Sequence, residues 1–279
     1  MRVPMSVLVA GWFAVMALGT VAAQAPAPAS PPPIARAHAH NDYEHPRPLL
    51  DALDQGFRSV EADVWLVDGR LLVAHDREAL RSDRTLDALY LEPLRARVSA
   101  TAGRVDQPGG EFLLWIDVKS EAEPTYAVLR DVLARYASML TTFRADRRTP
   151  GAVTVIVSGN RARDLMAREP LRYAAVDGRL PDLDTDASLF LVPVVSDNWQ
   201  NSFTWRGVGA MADDEREKLS AIVRRAHEQG RTIRFWAIPD TPEGWQVCLD
   251  AGVDFINTDD LAGLRAFLTR HETGFPRAS

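Results

Sequence analysis

The sequence predicts an α/β protein folded as one (β/α)8 TIM barrel. The first reason is the alternation of eight short apolar runs with helical patterns. The second is that the runs are continuously apolar rather than alternating, which marks strands covered on both faces, as in a parallel sheet. The third is the lack of a dinucleotide glycine fingerprint, which favours a closed barrel over a doubly wound sheet.

Residues 1–23 read as a signal peptide. Arg2 is a short basic start, Val7 to Val21 is an uncharged apolar stretch, and Val21-Ala22-Ala23 supplies small residues for cleavage. Residues 24–33 (QAPAPASPPP) form an Ala/Pro-rich spacer expected to be disordered or extended. The barrel is expected over residues 34–279, close to the usual length for this architecture. Its strand candidates are Ile34–Ala37, Val60–Leu66, Phe112–Val118, Val153–Val157, Tyr173–Val176, Leu189–Val195, Thr232–Ile238 and Phe255–Thr258. Helical patterns cover Pro48–Gln55, Leu86–Ser99, Thr125–Leu140, Ala162–Glu169, Asp213–Gln229, Pro242–Ala251 and Leu261–His271. Gly56, Gly230 and Gly252 act as stops, and Asp240-Thr241-Pro242 as a start. The Asp-rich link between Val176 and Leu189 is too short for a full helix.

The stretch Ser59–Asp76, SVEADVWLVDGRLLVAHD, holds two apolar runs around an Asp68-Gly69 turn, a hairpin signal. Glu61 and Asp63 lie two apart, so both carboxylates leave one face of the strand. Such a pair is costly to desolvate without a cation or proton between the two. The second run returns His75 to the same end. An isolated Glu-x-Asp is ordinarily a solvated face, and His-Asp after a strand is ordinarily a turn. Two further clusters make a site of them: His38-Ala39-His40-Asn41-Asp42 and Ile116-Asp117-Val118-Lys119, both at strand ends. In a barrel those ends form the catalytic mouth.

Glu61, Asp63 and Asp117 with Asn41 form an all-oxygen set suited to one divalent cation, Mg²⁺ or Ca²⁺, rather than zinc. Two histidines beside that ion read as an acid/base pair. His75 is one of them. His38 and His40 share a face, and His40 is preferred because it lies nearer the mouth and abuts Asn41. Lys119 stands out in a chain with only two lysines, as a compact charge that steadies phosphate oxygens; the alternative is a buried counter-ion to Asp117. His38, Trp236 and Asp259, with Trp199 and Trp205 from the aromatic loop Ser196–Gly207, are assigned to substrate binding; a loop that only covers the barrel end is the alternative.

These motifs carry a resemblance. HNDY, then Glu-x-Asp, then a hairpin ending in His-Asp, then Asp-x-Lys resembles the phosphatidylinositol-specific phospholipase C / glycerophosphodiester phosphodiesterase superfamily. Within it, HAHNDYEHPRPLLDAL, SVEADVWL and LLVAHD are most similar to the branch named for altered inheritance of mitochondria protein 6, and GVDFINTDD extends the likeness to the C-terminal end. The resemblance implies metal-assisted cleavage of a phospholipid-derived or other small phosphodiester. It implies Glu61 and Asp63 as metal ligands, His75 as a catalytic histidine, Asp117 at a ligand position and Lys119 at a lysine position of related branches. For the other histidine, phospholipases C point to His40-Asn41 and the sphingomyelinase D-like branch to His38. The HRG and PENT signatures of glycerophosphodiesterases are absent.

Two other classes compete. His-x-His also opens metal-dependent amidohydrolases, but these need later strand histidines, and His227 and His271 fall in helical patterns. A non-catalytic barrel binding a glycan or lipid head group would use the aromatic loop. The formal net charge of −6, with no basic stripe, argues against nucleic acid. The lone cysteine, Cys248, excludes an internal disulfide and reads as buried filler. The chain is expected to be exported, without a membrane span in its mature part, and monomeric.

Overall fold

A computed structural model describes residues 32–106 and 110–272. The signal-peptide reading and most of the spacer lie outside the described residues. Among the described residues eleven strands follow one another: β1 (Ile34–Ala39), β2 (Phe57–Val67), β3 (Arg70–Val73), β4 (Phe112–Val118), β5 (Thr142–Phe143), β6 (Arg148–Thr149), β7 (Val153–Gly159), β8 (Ala174–Gly178), β9 (Val194–Asn198), β10 (Thr232–Trp236) and β11 (Phe255–Thr258). Among them β1, β2, β4, β7, β8, β9, β10 and β11 pair in parallel in that order, and β11 returns to β1 to close the barrel. The eight-stranded barrel is therefore as the sequence predicts.

The helices are α1 (Leu50–Asp54), α2 (Glu92–Ala100), α3 (Ala122–Ala134), α4 (Arg163–Arg168), α5 (Trp199–Ser202), α6 (Asp213–Glu228), α7 (Pro242–Ala251) and α8 (Leu261–Glu272). The predicted helix Leu86–Ser99 is split by a π turn, Asp87–Leu91, ahead of α2. The strand expected over Leu189–Val195 begins only at Val194, because Leu191 and Val192 turn back to donate to the Ser188 carbonyl and Pro193 has no N–H to give. The Asp-rich link after β8 holds one 3-10 turn, Leu180–Asp184. The β5–β6 hairpin was not predicted; its strands are two residues long.

β2 and β3 form the predicted hairpin, with Val67 opposite Arg70. Asp68 and Gly69 both have positive φ, 48° and 74°, the geometry of a type I′ turn. That turn has the right-handed sense that folds β3 back and delivers His75.

Strand periodicity builds the mouth from below. On β4, β7, β8, β9 and β11 an apolar residue facing the barrel interior is followed two positions later by a polar one: Trp115 by Asp117, Ile156 by Ser158, Ala175 by Asp177, Val194 by Ser196, Phe255 by Asn257. Trp115, Ile156, Ala175, Val194 and Phe255 are buried and pack, with Phe143, into one plug. A second, larger core lies between the strands and the surrounding helices. The plug keeps water from the lower barrel, so the polar layer above it is a floor rather than a channel. Gly159, at φ 65°, ends β7 beside Asp117, and a methyl there would run into the Asp117 carboxylate and the Val118 carbonyl. Glycine at that point lets β7 pass close under the site.

Candidate active site

Above the floor lies a cleft of about 230 Å³ bordered by residues of β2, β4, β7 and β10 and of the segments that follow β1, β3, β4 and β8. Asp63 and Asp117 are direct partners in the β2–β4 register. Glu61, one step below Asp63, completes a group whose carboxylate oxygens lie within 4.8 Å of one another. At an effective dielectric of about 20, each such like-charged pair repels by roughly 3 kcal/mol. Lys119 answers part of that charge, its Nζ lying 3.0 Å from Asp63 Oδ2 and 3.1 Å from Asp117 Oδ1. Arg234 Nη2 reaches Glu61 Oε1 at 3.5 Å.

The electrostatics follow from this crowding. Burial, with Glu61 and Asp63 adding their charge, pushes the Asp117 carboxyl up to about 6 despite Lys119. Asp63 is raised by burial and by Glu61. Burial also penalises Glu61, but the charge of Arg234 and the neighbouring histidines hold it well below the usual carboxylate range.

Each histidine of the cleft is tied through Nδ1 to a carboxylate. His75 Nδ1 lies 3.0 Å from Asp63 Oδ2, and His40 Nδ1 2.9 Å from Asp259 Oδ1. Both therefore keep Nε2 for other work. Burial lowers the His40 pKa, but the Asp259 hydrogen bond and the charges of Glu61 and Asp259 outweigh it, and the net shift is upward. Tyr43, the last residue of HNDY, is a hub between these groups. Its hydroxyl lies 2.7 Å from Asp63 Oδ2, 2.8 Å from Asn41 Oδ1 and 3.1 Å from His75 Nδ1. Asn41 adopts left-handed backbone, φ 47°, which aims its amide inward.

Comparison with known proteins meets this geometry at its first half. A profile described as an AIM6-like phosphodiesterase domain matches residues 32–177. The chain is 32% identical over 265 residues to altered inheritance of mitochondria protein 6 of Eremothecium gossypii, across 82% of this chain and 68% of that protein. A homolog from Arthroderma benhamiae is 31% identical over 264 residues, across 82% of each chain. The chain belongs to the AIM6-like phosphodiesterase family. A Ca²⁺-dependent phosphatidylinositol-specific phospholipase C from Streptomyces antibioticus shares the fold at TM-score 0.54 and 15% identity, over 84% of this chain and 95% of that one. A glycerophosphodiester phosphodiesterase from Parabacteroides distasonis does so at 0.51 and 15%, over 85% and 98%. At 15% identity these two likenesses show the shared barrel fold.

The AIM6-like stretch supplies His40, Asn41, Glu61, Asp63, His75, Asp117 and Lys119, and the fold brings all seven to the cleft. Trp236 joins them from β10. Four expectations are corrected. His38 is fully buried beneath the cleft, where Nδ1 lies 2.7 Å from Ser59 Oγ and Nε2 2.5 Å from Arg234 Nη1, so it supports the floor and does not face substrate. Burial, with the Arg234 charge, takes its pKa to about 3 and keeps it neutral. Asp259 holds His40 rather than lining the cleft. Trp199 and Trp205 are buried, because the loop folds inward onto Phe203 and Phe235 and both indole N–H groups donate to loop carbonyls.

Sequence reasoning missed Tyr43, Ser158, Arg179 and Arg234. A signal for Arg179 existed: Asp177-Gly178-Arg179 repeats at the end of β8 the spacing of Asp117-Val118-Lys119.

The carboxylates fit a hard cation. Each spends one oxygen on a protein cation, Glu61 Oε1 on Arg234 and Asp63 Oδ2 and Asp117 Oδ1 on Lys119, while among the described residues Glu61 Oε2 has no hydrogen-bond partner. The buried, unpartnered Glu61 Oε2 is the clearest sign, since such an oxygen ordinarily has a partner. Replacing Asp63 by Asn removes one ligand charge at constant shape. Calorimetric titration with Mg²⁺ and Ca²⁺ should then show affinity lowered at least about tenfold against wild type; equal affinity would remove Asp63 from the ligand set.

Proposed function

We propose that this protein is a metal-dependent phosphoric diester hydrolase acting on a phospholipid-derived or other small phosphodiester, with His40 and His75 as its acid/base pair. The observation that carries this reading is the pair of histidines fixed through Nδ1 to carboxylates on either flank of the Glu61–Asp63–Asp117 cluster. The family's phosphodiesterase-like domain supports the same reaction class.

Glu61, Asp63 and Asp117, with Asn41, would hold one divalent cation, Mg²⁺ or Ca²⁺, which supplies charge neutralisation at the phosphate and acidifies an attacking hydroxyl. Lys119 places an ammonium beside that cluster to steady a phosphate oxygen. One histidine takes the proton of the attacking hydroxyl at Nε2 as the new P–O bond forms. The other gives its Nε2 proton to the oxygen that departs with its bonding electrons. The carboxylate on Nδ1 of each fixes the tautomer and stabilises the imidazolium. Tyr43 holds His75 and Asp63 in one arrangement. A glycan- or lipid-binding barrel loses its main support with the burial of Trp199 and Trp205.

His40→Ala and His75→Ala should each lower turnover of a phosphodiester by roughly 10²–10⁴ with little change in melting temperature. His38→Ala should instead lower stability, by about 1–3 kcal/mol in urea unfolding, because it strands Arg234 and Ser59. Asp259→Asn removes a group that raises the His40 pKa. The limb of the kcat/KM–pH profile set by His40 should therefore move to lower pH, whether that histidine acts as acid or base. An unmoved profile, or His38→Ala alone abolishing turnover, would overturn the assignment.

The leader pattern supports export to the periplasm or medium, and we propose that the mature barrel acts as a monomer. N-terminal sequencing of exported protein should begin near Gln24; intact Met1 on cytoplasmic protein would contradict it.

A further inference from the structure

Arg179 has no part in the chemistry above, yet it borders the same cleft. It follows β8, which lies four strands from β1 in either direction around the barrel, so it faces the site from across the mouth. Its guanidinium is locked in place. Nη1 donates to Asp177 Oδ2 at 2.7 Å and to the Gly178 carbonyl at 2.8 Å. Asp177 is itself fully buried and accepts from Ser158 and Ser196. Its guanidinium carbon lies over the Trp236 ring, 4.8 Å from the ring centroid. Among the described residues, the hydrogen bonds of the Arg179 side chain all run through Nη1. Within the described residues this leaves Nε and Nη2 unspent, and they form the edge that grips two oxygens of an anion at once.

A purely structural partner for Asp177 needs one donor and no aromatic bed. The stacked, half-committed fork is what an anion subsite requires, with its orientation settled before the ligand arrives. Trp236 below it offers a flat apolar surface for the carbon skeleton that links two charged groups.

We infer that Arg179 and Trp236 form a second anion subsite, so that the substrate carries, besides the phosphodiester, a further anionic group such as a phosphomonoester. This rests on the phosphodiesterase reading and adds the substrate's chemical class to it.

The test uses three 4-nitrophenyl phosphodiesters of glycerol that differ at carbon 3: a hydroxyl, a phosphomonoester or an ammonium. All keep the neighbouring hydroxyl, so any internal attack is equally open to each. Wild type should prefer the phosphorylated diester over the hydroxyl one by about 10–100-fold in kcat/KM, and the ammonium one should be worst. The preference should collapse in Arg179→Met and persist only in part in Arg179→Lys, which keeps the charge but not the fork. A wild-type preference below threefold, or an Arg179→Met loss equal on all three diesters, would overturn the subsite; the latter would place Arg179 on the scissile phosphate or in the fold. If no diester is turned over, the phosphodiesterase reading fails first. Calorimetry with glycerol 1,3-bisphosphate against glycerol 1-phosphate then decides the subsite separately. Tighter binding of the bisphosphate that disappears in Arg179→Met sustains it, and equal affinities refute it.

Discussion

Three carboxylates pressed together at the C-terminal ends of two adjacent strands are the constraint on which the mouth depends. The β2–β4 register sets Asp63 against Asp117, and strand periodicity adds Glu61 beneath. Their mutual repulsion is offset by Lys119 above and Arg234 below, two cations brought from opposite sides of the barrel by β4 and β10. Compensation is incomplete: Asp63 and Asp117 remain raised, by burial first and by their neighbours' charge second. A hard cation among the three carboxylates would remove that residual cost, which is why stability of the site and binding of a metal are one question here.

The floor explains how a polar cluster survives inside a barrel. Arg234 is almost wholly buried, has its guanidinium carbon over the Trp115 ring 4.2 Å from the centroid, and shares its donors between His38 and Glu61. Trp115 in turn donates to Ser59, which lies against His38. These contacts join the apolar plug to the lowest carboxylate and leave its upper oxygen free. His40, one step up the strand, has a side chain 29% exposed and is the histidine a substrate can meet.

Much of this was legible in the sequence because strand geometry is strict. Period two places Glu61 with Asp63 and Asp117 with Lys119 on one face each, and Asp68-Gly69 predicts the turn that returns His75. The same rule could not rank His38 and His40, which share a face; what separates them is height above the plug, a property of packing between strands. Trp199 and Trp205 misled for a related reason, since an aromatic loop amid polar residues can cover a core as readily as it can grip a ligand. Arg234 was hidden by composition, and Arg179 carried only the spacing from Asp177 that it shares with Lys119 and Asp117. In a chain whose cations are nearly all arginine, no single one stands out until the fold shows which are buried or stacked.

The central claim, that one divalent cation among Glu61, Asp63 and Asp117 serves phosphodiester cleavage, is tested most directly by metal depletion and restoration. Purified protein, stripped by chelator and verified free of metal by elemental assay, would be given a 4-nitrophenyl phosphodiester with no cation, with Mg²⁺, or with Ca²⁺. The account predicts negligible turnover without cation and recovery with one of the two at about one ion per chain. Full turnover by the metal-free protein, or none with either ion, would contradict it.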